Sequence, residues 1–288
     1  SGDDVKEYAQ KLCAGAETPE EKIDRLFRFV SQEVRYMGMT AEKEAPGYEP
    51  HDVELTFRNR AGVCRDKAAL LVAMLDAVGV KAHMVLILAG ERKDPDVPDL
   101  FFNHAIVAWE NEPGKYVLLD PTAENSREKL PVFDADSAFL VATARGETLL
   151  TSAVPDPETN KISIRTSGTI DAKGKFSGHT VIRPTGVFEL IYREMLQSYP
   201  PDEQLTKISG KIDFGALKFR LDDLKVTPQD LADTTQPLEI SFDFSFSGAL
   251  PECNGSEVLQ MPRFAESLAY RDFFSGVTDI ARRRYPQR

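Results

Sequence analysis

Apolar residues follow two different rhythms along the chain, and the change of rhythm divides it. Early on they recur every three or four positions: Ile23, Leu26, Phe27, Val30 and Val34, then Ala68, Leu71, Leu75 and Val78. That period is the one-sided stripe of an amphipathic helix. Thr18-Pro19-Glu20-Glu21 stands before the first stripe as a capping box with proline at the first helical position, so a helix is expected to begin there. The second helix is expected from about Cys64 to Val78, ended by Gly79 where a left-handed C-cap is favoured. Between them, residues 37–50 hold two glycines and two prolines and read as an irregular loop. His51-Asp52 then opens a short element carrying Val53, Leu55 and Phe57.

After residue 80 the period shortens. His83 to Leu88, Ala105 to Trp109 and Tyr116 to Leu119 are short apolar runs of strand length. Glu112-Pro113-Gly114-Lys115 is a turn signal, so the last two runs are expected to pair as an antiparallel hairpin. Residues 90–99, charged and proline-bearing, read as a surface loop. Helices followed by strands give an α+β domain over residues 1–155. Past Pro155-Asp156-Pro157 the pattern alternates. Ile162, Ile164 and Thr166, then Phe176 to Ile182, then Ile240, Phe242, Phe244 and Phe246 mark half-buried antiparallel strands. The segment 185–199 between them carries Phe188, Ile191, Tyr192 and Met195 on one helical stripe, expected to be core. Residues 156–288 are therefore expected to form a β-rich domain with an inserted helix. A further helical tract is expected over 264–285.

Composition narrows the function classes. A formal net charge of -11 over 288 residues argues against nucleic acid and against anionic membrane surfaces as partners. The local Arg282-Arg283-Arg284 run reads as a solvated helix end. No stretch of about 20 apolar residues is present, so no transmembrane segment is expected. Cys13, Cys64 and Cys253 form an odd, widely spaced set, which suggests neither a disulfide framework nor a metal site.

Cys64 carries the chemical interest. It opens an apolar helix after Gly62, where unpaired backbone N–H groups and the helix dipole lower a thiol's pKa and can hold an oxyanion. A nucleophilic cysteine needs a base within hydrogen-bond reach. Of the four histidines, His51, His83, His104 and His179, His104 opens the strand after the 90–99 loop, and Asp120 ends the strand paired with it. In an antiparallel hairpin those two ends are neighbours, so Asp120 can hold the His104 ring. Each residue alone also has a plain packing role; together the three types fall at compatible ends of adjacent elements. His51-Asp52 is a rival pair, with Asp52 better read as a helix N-cap. Asp66 should point away from an active thiolate, and Lys67 is expected to be solvated or paired.

Tyr48-Glu49-Pro50-His51-Asp52-Val53, Asn59 through Ala68, Asn103-His104-Ala105-Ile106-Val107 and Leu119-Asp120-Pro121-Thr122 resemble the transglutaminase-like superfamily. The resemblance is narrower with bacterial members whose core lies between β-rich domains. It implies a papain-like core, with helices against a small antiparallel sheet, followed by the β-rich domain. It also implies a catalytic triad of Cys64, His104 and Asp120. An exported or periplasmic setting and a further β domain ahead of residue 1 are implied as well. Members include transglutaminases, peptidases, amidases and inactive scaffolds. The activity expected is a peptidase- or amidase-like hydrolysis of amide or isopeptide bonds in a peptide or protein substrate, needing no cofactor. Amine transfer of the transglutaminase type, or an inactive binding or assembly module of the cell envelope, are the alternatives. Gly-Val-Cys-Arg stands where mammalian enzymes have Gly-Gln-Cys-Trp, and no calcium-loop spacing is found. Gln32, Tyr36 and His51 are the candidates for oxyanion or cleft residues; Trp109 reads as core.

Overall fold

The computed structural model describes residues 2–37, 49–90, 102–212, 219–259, 263–264 and 267–268. The chain divides into two compact units, Ser1–Pro155 and Asp156–Arg288. Most of the loops expected at 37–50 and 90–99, the terminal arginine run and nearly all of the 264–285 tract lie outside the described residues.

In the first unit, helices come first. They are α1 (Asp3–Leu12), α2 (Pro19–Arg28), a two-residue strand β1 (Arg35–Tyr36), α3 (Val53–Asn59), a two-residue strand β2 (Ala61–Gly62) and α4 (Cys64–Ala77). Thr18 caps α2 by accepting the Glu21 N–H at 3.2 Å, a contact that stabilises a helix by about 1 kcal/mol. The Glu21 carboxylate accepts the N–H of Glu17 at 2.8 Å. Sequence periodicity carries this helix to Val34, but the hydrogen bonding widens to a π-helical turn over Phe29–Glu33. The wider turn buries Phe29, Val30 and Ser31 in succession. It also presents the carbonyls of Ser31 and Val34 to the Lys67 ammonium, at 3.1 and 2.6 Å. Asp52 caps α3, accepting the Glu54 N–H at 2.8 Å.

Strands β3 (Ala82–Leu88), β4 (His104–Glu112), β5 (Lys115–Leu119), β6 (Ala138–Val141) and β7 (Leu150–Thr151) form one antiparallel sheet in the order β5-β4-β3-β6-β7. Helix α4 packs on this sheet against β3 and β4, with α1, α2 and α3 around it. Val107 and Leu119 join Leu70, Leu71, Met74 and Leu75 in one core on the helix side. Ile106 and Ala108 enter a second core with Val85, Ile87, Phe139 and Val141. Burial on both faces explains why β4 reads as a continuous apolar run rather than an alternation.

The second unit holds β8 (Ile162–Ile170), β9 (Lys175–Pro184), α5 (Val187–Gln197), α6 (Pro201–Lys211), β10 (Phe219–Thr227) and β11 (Glu239–Ser247). The sheet is antiparallel in the order β10-β11-β9-β8. Ile240, Phe242, Phe244 and Phe246 point into one core with Tyr192 and Leu196 of α5 and Ile208 of α6. Of the expected α5 stripe, Phe188 and Tyr192 are buried, while Ile191 is exposed. A buried i,i+4 ion pair, Arg193 to Glu189 at 2.8 Å, anchors α5. Arg193 also donates to the carbonyls of Leu231 and Gln236, both at 2.6 Å, so the charge is fully solvated by protein. The architecture is α+β, helices against an antiparallel sheet followed by a β-rich remainder.

Candidate active site

Cys64 is the first residue of α4, and its position is set by the chain entering the helix. Strand β1 runs parallel to β2, pairing Tyr36 with Gly62, and Met37 N–H donates to the Gly62 carbonyl at 3.1 Å. Gly62 is needed for space: a Cβ there would stand 2.7 Å from the Asp66 Cβ. Asp66, buried on the first turn of α4, accepts the Val63 N–H at 3.1 Å. The same carboxylate accepts the His51 N–H at 2.9 Å and meets His51 Nδ1 at 3.0 Å. Its charge is thereby engaged by three donors at the helix base.

Of the two readings for Lys67, solvated or paired, it is paired. It is fully buried and bridges α4 to the segment before β1, with Glu124 Oε1 at 3.6 Å. Glu124 Oε1 also accepts the Tyr36 N–H at 2.8 Å. Burial pulls the Lys67 ammonium down to about 8, against the Glu124 and Asp120 charges that raise it. Helix α4 and the strand bearing Tyr36 are thus tied by one buried cation.

His104 opens β4 and Asp120 follows β5. The register sets Val107 opposite Leu119, which brings the two strand ends together. His104 Nε2 lies 3.1 Å from Asp120 Oδ2, with Asp120 wholly buried and the His104 side chain 13% exposed. Thr122 completes the cradle: its N–H and its hydroxyl both donate to Asp120 Oδ1, at 2.8 and 2.7 Å. With Nε2 engaged by Asp120, Nδ1 is the ring nitrogen left to act on Cys64, whose thiol His104 lowers.

These contacts lower Cys64 and Asp120 and raise His104. Burial pushes the Cys64 thiol up, but the His104 hydrogen bond and charge, with the backbone groups of Ala105 and Arg65, outweigh it and hold the thiol below its ordinary value. Burial works against the His104 imidazolium, yet the bonds to Asp120 and Cys64 and the charges of Asp120 and Asp134 lift it to about 10. Burial raises Asp120, and His104 and Thr122 more than reverse that. The Cys64 thiol is thus held low next to an imidazole held high, with a carboxylate behind the ring. The Tyr36 phenol is raised by burial and by the charges of Cys64 and Asp120, so its hydroxyl keeps its proton.

Cys64, His104 and Asp120 are therefore brought together, with Tyr36 next to them. His51 is bound to Asp66, and Gln32 sits half-buried in the π-helical turn. Trp109 packs against the first core. Sequence reasoning missed Asp134, at the end of a short 3-10 turn, Val132–Asp134. One of its oxygens, one of Asp120 and a ring nitrogen of His104 lie within 4.8 Å of one another, a set of atom types that could also hold a metal ion. Nothing flanking Asp134 resembles a catalytic motif; an acid between apolar neighbours was the one available signal.

Residues 6–121 match the model of the transglutaminase-like superfamily. Among curated proteins none matches the chain. Among solved structures, the chain is similar to a "putative protease" from Parabacteroides distasonis, with 14% identity and a TM-score of 0.40. That likeness covers 85% of this chain and 49% of the other, so the chain spans about half the length of that protein.

Proposed function

We propose, from the match of residues 6–121 to the transglutaminase-like superfamily model, that the chain is a cysteine-dependent acyl-transfer enzyme. Cys64 is the nucleophile, His104 the acid–base, and Asp120 the group that orients the ring. The reaction proposed is hydrolysis of an amide or isopeptide bond in a peptide or protein. The observation that carries this reading is the His104 ring held 3.1 Å from a wholly buried Asp120, with His104 lowering the Cys64 thiol.

The Cys64 thiolate attacks the carbonyl carbon, forming a C–S bond as the carbonyl electrons move to oxygen. Free N–H groups at the start of α4 and the protonated Tyr36 hydroxyl are the donors proposed to hold that oxyanion. His104 then protonates the leaving nitrogen as the tetrahedral adduct collapses to a thioester. Part of what keeps His104 charged is its bond to Cys64. Once the sulfur is acylated that contribution disappears, and the imidazolium becomes a stronger acid at the step that needs one. Water, deprotonated by the now neutral His104, attacks the thioester and releases the acid.

The test incubates wild type and Cys64→Ala with a peptide library in 18O-labelled water containing a primary amine. The expected result is an acyl adduct on Cys64 in wild type alone and 18O in the released acid. Capture by the amine instead would move the assignment to transglutaminase-type transfer. No adduct, together with a Cys64 alkylation pKa at the free-cysteine value, would leave the fold as a binding or assembly module.

A further inference from the structure

Asp134 has no function in the triad, yet it is the most costly residue nearby. It is wholly buried, and neither of its carboxyl oxygens receives a hydrogen bond. Its backbone is fixed: the N–H donates to the Pro131 carbonyl at 3.0 Å, and its own carbonyl accepts the Ser152 hydroxyl. The side chain therefore cannot swing out to water without unmaking the turn that leads into β6. An ionised carboxylate is acceptor-only, and leaving it without donors in a buried site is among the most unfavourable arrangements a protein can hold. A neutral carboxylic acid has one donor to give, and an acceptor stands next to it in Asp120.

Resting on the triad reading above, we propose that Asp134 is a positioning residue: a buried, protonated carboxyl that donates to Asp120 and keeps Asp120 aligned on His104. Asp120 then receives hydrogen bonds from four directions: His104, the Thr122 N–H, the Thr122 hydroxyl and Asp134. The charged groups acting on Asp134 are Asp120, from the turn after β5, and His104, from β4. Burial and the Asp120 charge push the Asp134 carboxyl up to about 8, against the opposing pull of His104. Like charges this close cannot both ionise freely, so one carboxyl of the pair retains its proton. A cation among the same three groups would have to displace His104 from Asp120 and would repel the imidazolium; the proton requires neither. Loss of the Asp134 proton sets two anions side by side and loosens Asp120, which places an alkaline limit on the site.

The full chain is tested in two ways. Infrared difference spectra should show the C=O band of an undissociated carboxylic acid at neutral pH, fading near pH 8 and absent in Asp134→Asn. Iodoacetamide alkylation of Cys64 across pH should show an inflection near pH 8 in wild type that Asp134→Asn lacks. Asp134→Ala, which cannot donate to Asp120, should alkylate at least about tenfold more slowly than wild type at neutral pH, with Asp134→Asn between the two. If the variants do not fold, the wild-type band and its titration decide alone. A missing acid band in wild type overturns the proposal. So does a copurifying divalent ion whose chelation makes the band appear. Failure of the triad reading looks different: Cys64 alkylates as a free cysteine in every protein while the acid band persists.

Discussion

At the residue scale, the pKa shifts are a single linked system rather than separate perturbations. Asp120 is the keystone, because it raises His104 and His104 in turn lowers the Cys64 thiol. Asp120→Asn removes a negative charge, so the His104 pKa falls from about 10 toward its ordinary range. With the imidazolium gone, the Cys64 pKa rises, and fewer thiolates exist below it. Each unit of that rise removes about tenfold of the thiolate. Alkylation of Cys64 at neutral to mildly alkaline pH, where an imidazole of ordinary pKa has lost its charge, should therefore slow by about tenfold or more, while rates at strongly alkaline pH converge. An unchanged profile in Asp120→Asn would show that the carboxylate does not govern the pair. The residue types at this site were legible beforehand because each stands at an element boundary: a helix start, a strand start, a strand end. Asp134 was not legible, since only three-dimensional burial distinguishes it from any acid in a turn. The sequence left Lys67 as solvated or paired, and only the fold, which brings Glu124 and the carbonyls of Ser31 and Val34 to it, decides for paired.

At the element scale, the site depends on how the chain enters α4. The stripes of α2 and α4 and the hairpin of β4 and β5 followed from periodicity and turn residues. Strands β6, β7 and β10 and helices α1 and α6 did not, because short or weakly patterned segments gain their identity from the sheet or core they complete. The entry to α4 shows what a motif glycine does here. Gly62 has no left-handed backbone requirement; it leaves room for Asp66, which holds Val63 and His51. Gly62→Ala puts a Cβ 2.7 Å from the Asp66 Cβ and 3.3 Å from both Asp66 Oδ2 and Thr56 Cγ2. Neither neighbour is free to move, as Asp66 is buried and bonded and Thr56 is buried within α3. The expected cost is about 1–3 kcal/mol of stability, the usual range for overpacking. It should come with a higher Cys64 alkylation pKa as the helix start shifts. Urea denaturation gives the first quantity, and a neutral result there would mean that Asp66 can give way.

At the scale of the whole molecule, the two units can be separated by their reporters. Trp109 is the sole tryptophan of the chain and lies in β4 of the first unit, packed against its core. Its fluorescence thus follows unfolding of the unit that holds the triad. That unit carries an unusual pH linkage. A carboxyl whose folded pKa is raised binds a proton that the unfolded chain has already lost, so unfolding releases it. Stability then falls as pH rises from the unfolded value of 3.8 to the folded value of about 8. His104, raised from 6.5 to about 10, acts with the same sign between those values. The His104 contribution is present in wild type and in Asp134→Asn alike, so to first order it cancels in their difference. What remains belongs to Asp134: wild type should lose stability against Asp134→Asn by up to about 1.4 kcal/mol per pH unit between roughly pH 4 and pH 8. Above the folded pKa the difference should level off, because both states of wild type are then ionised. Urea melts of the two full-length proteins, followed by Trp109 fluorescence at several pH values, measure that slope directly. A difference that stays flat across the window would mean that Asp134 is already ionised in the folded protein.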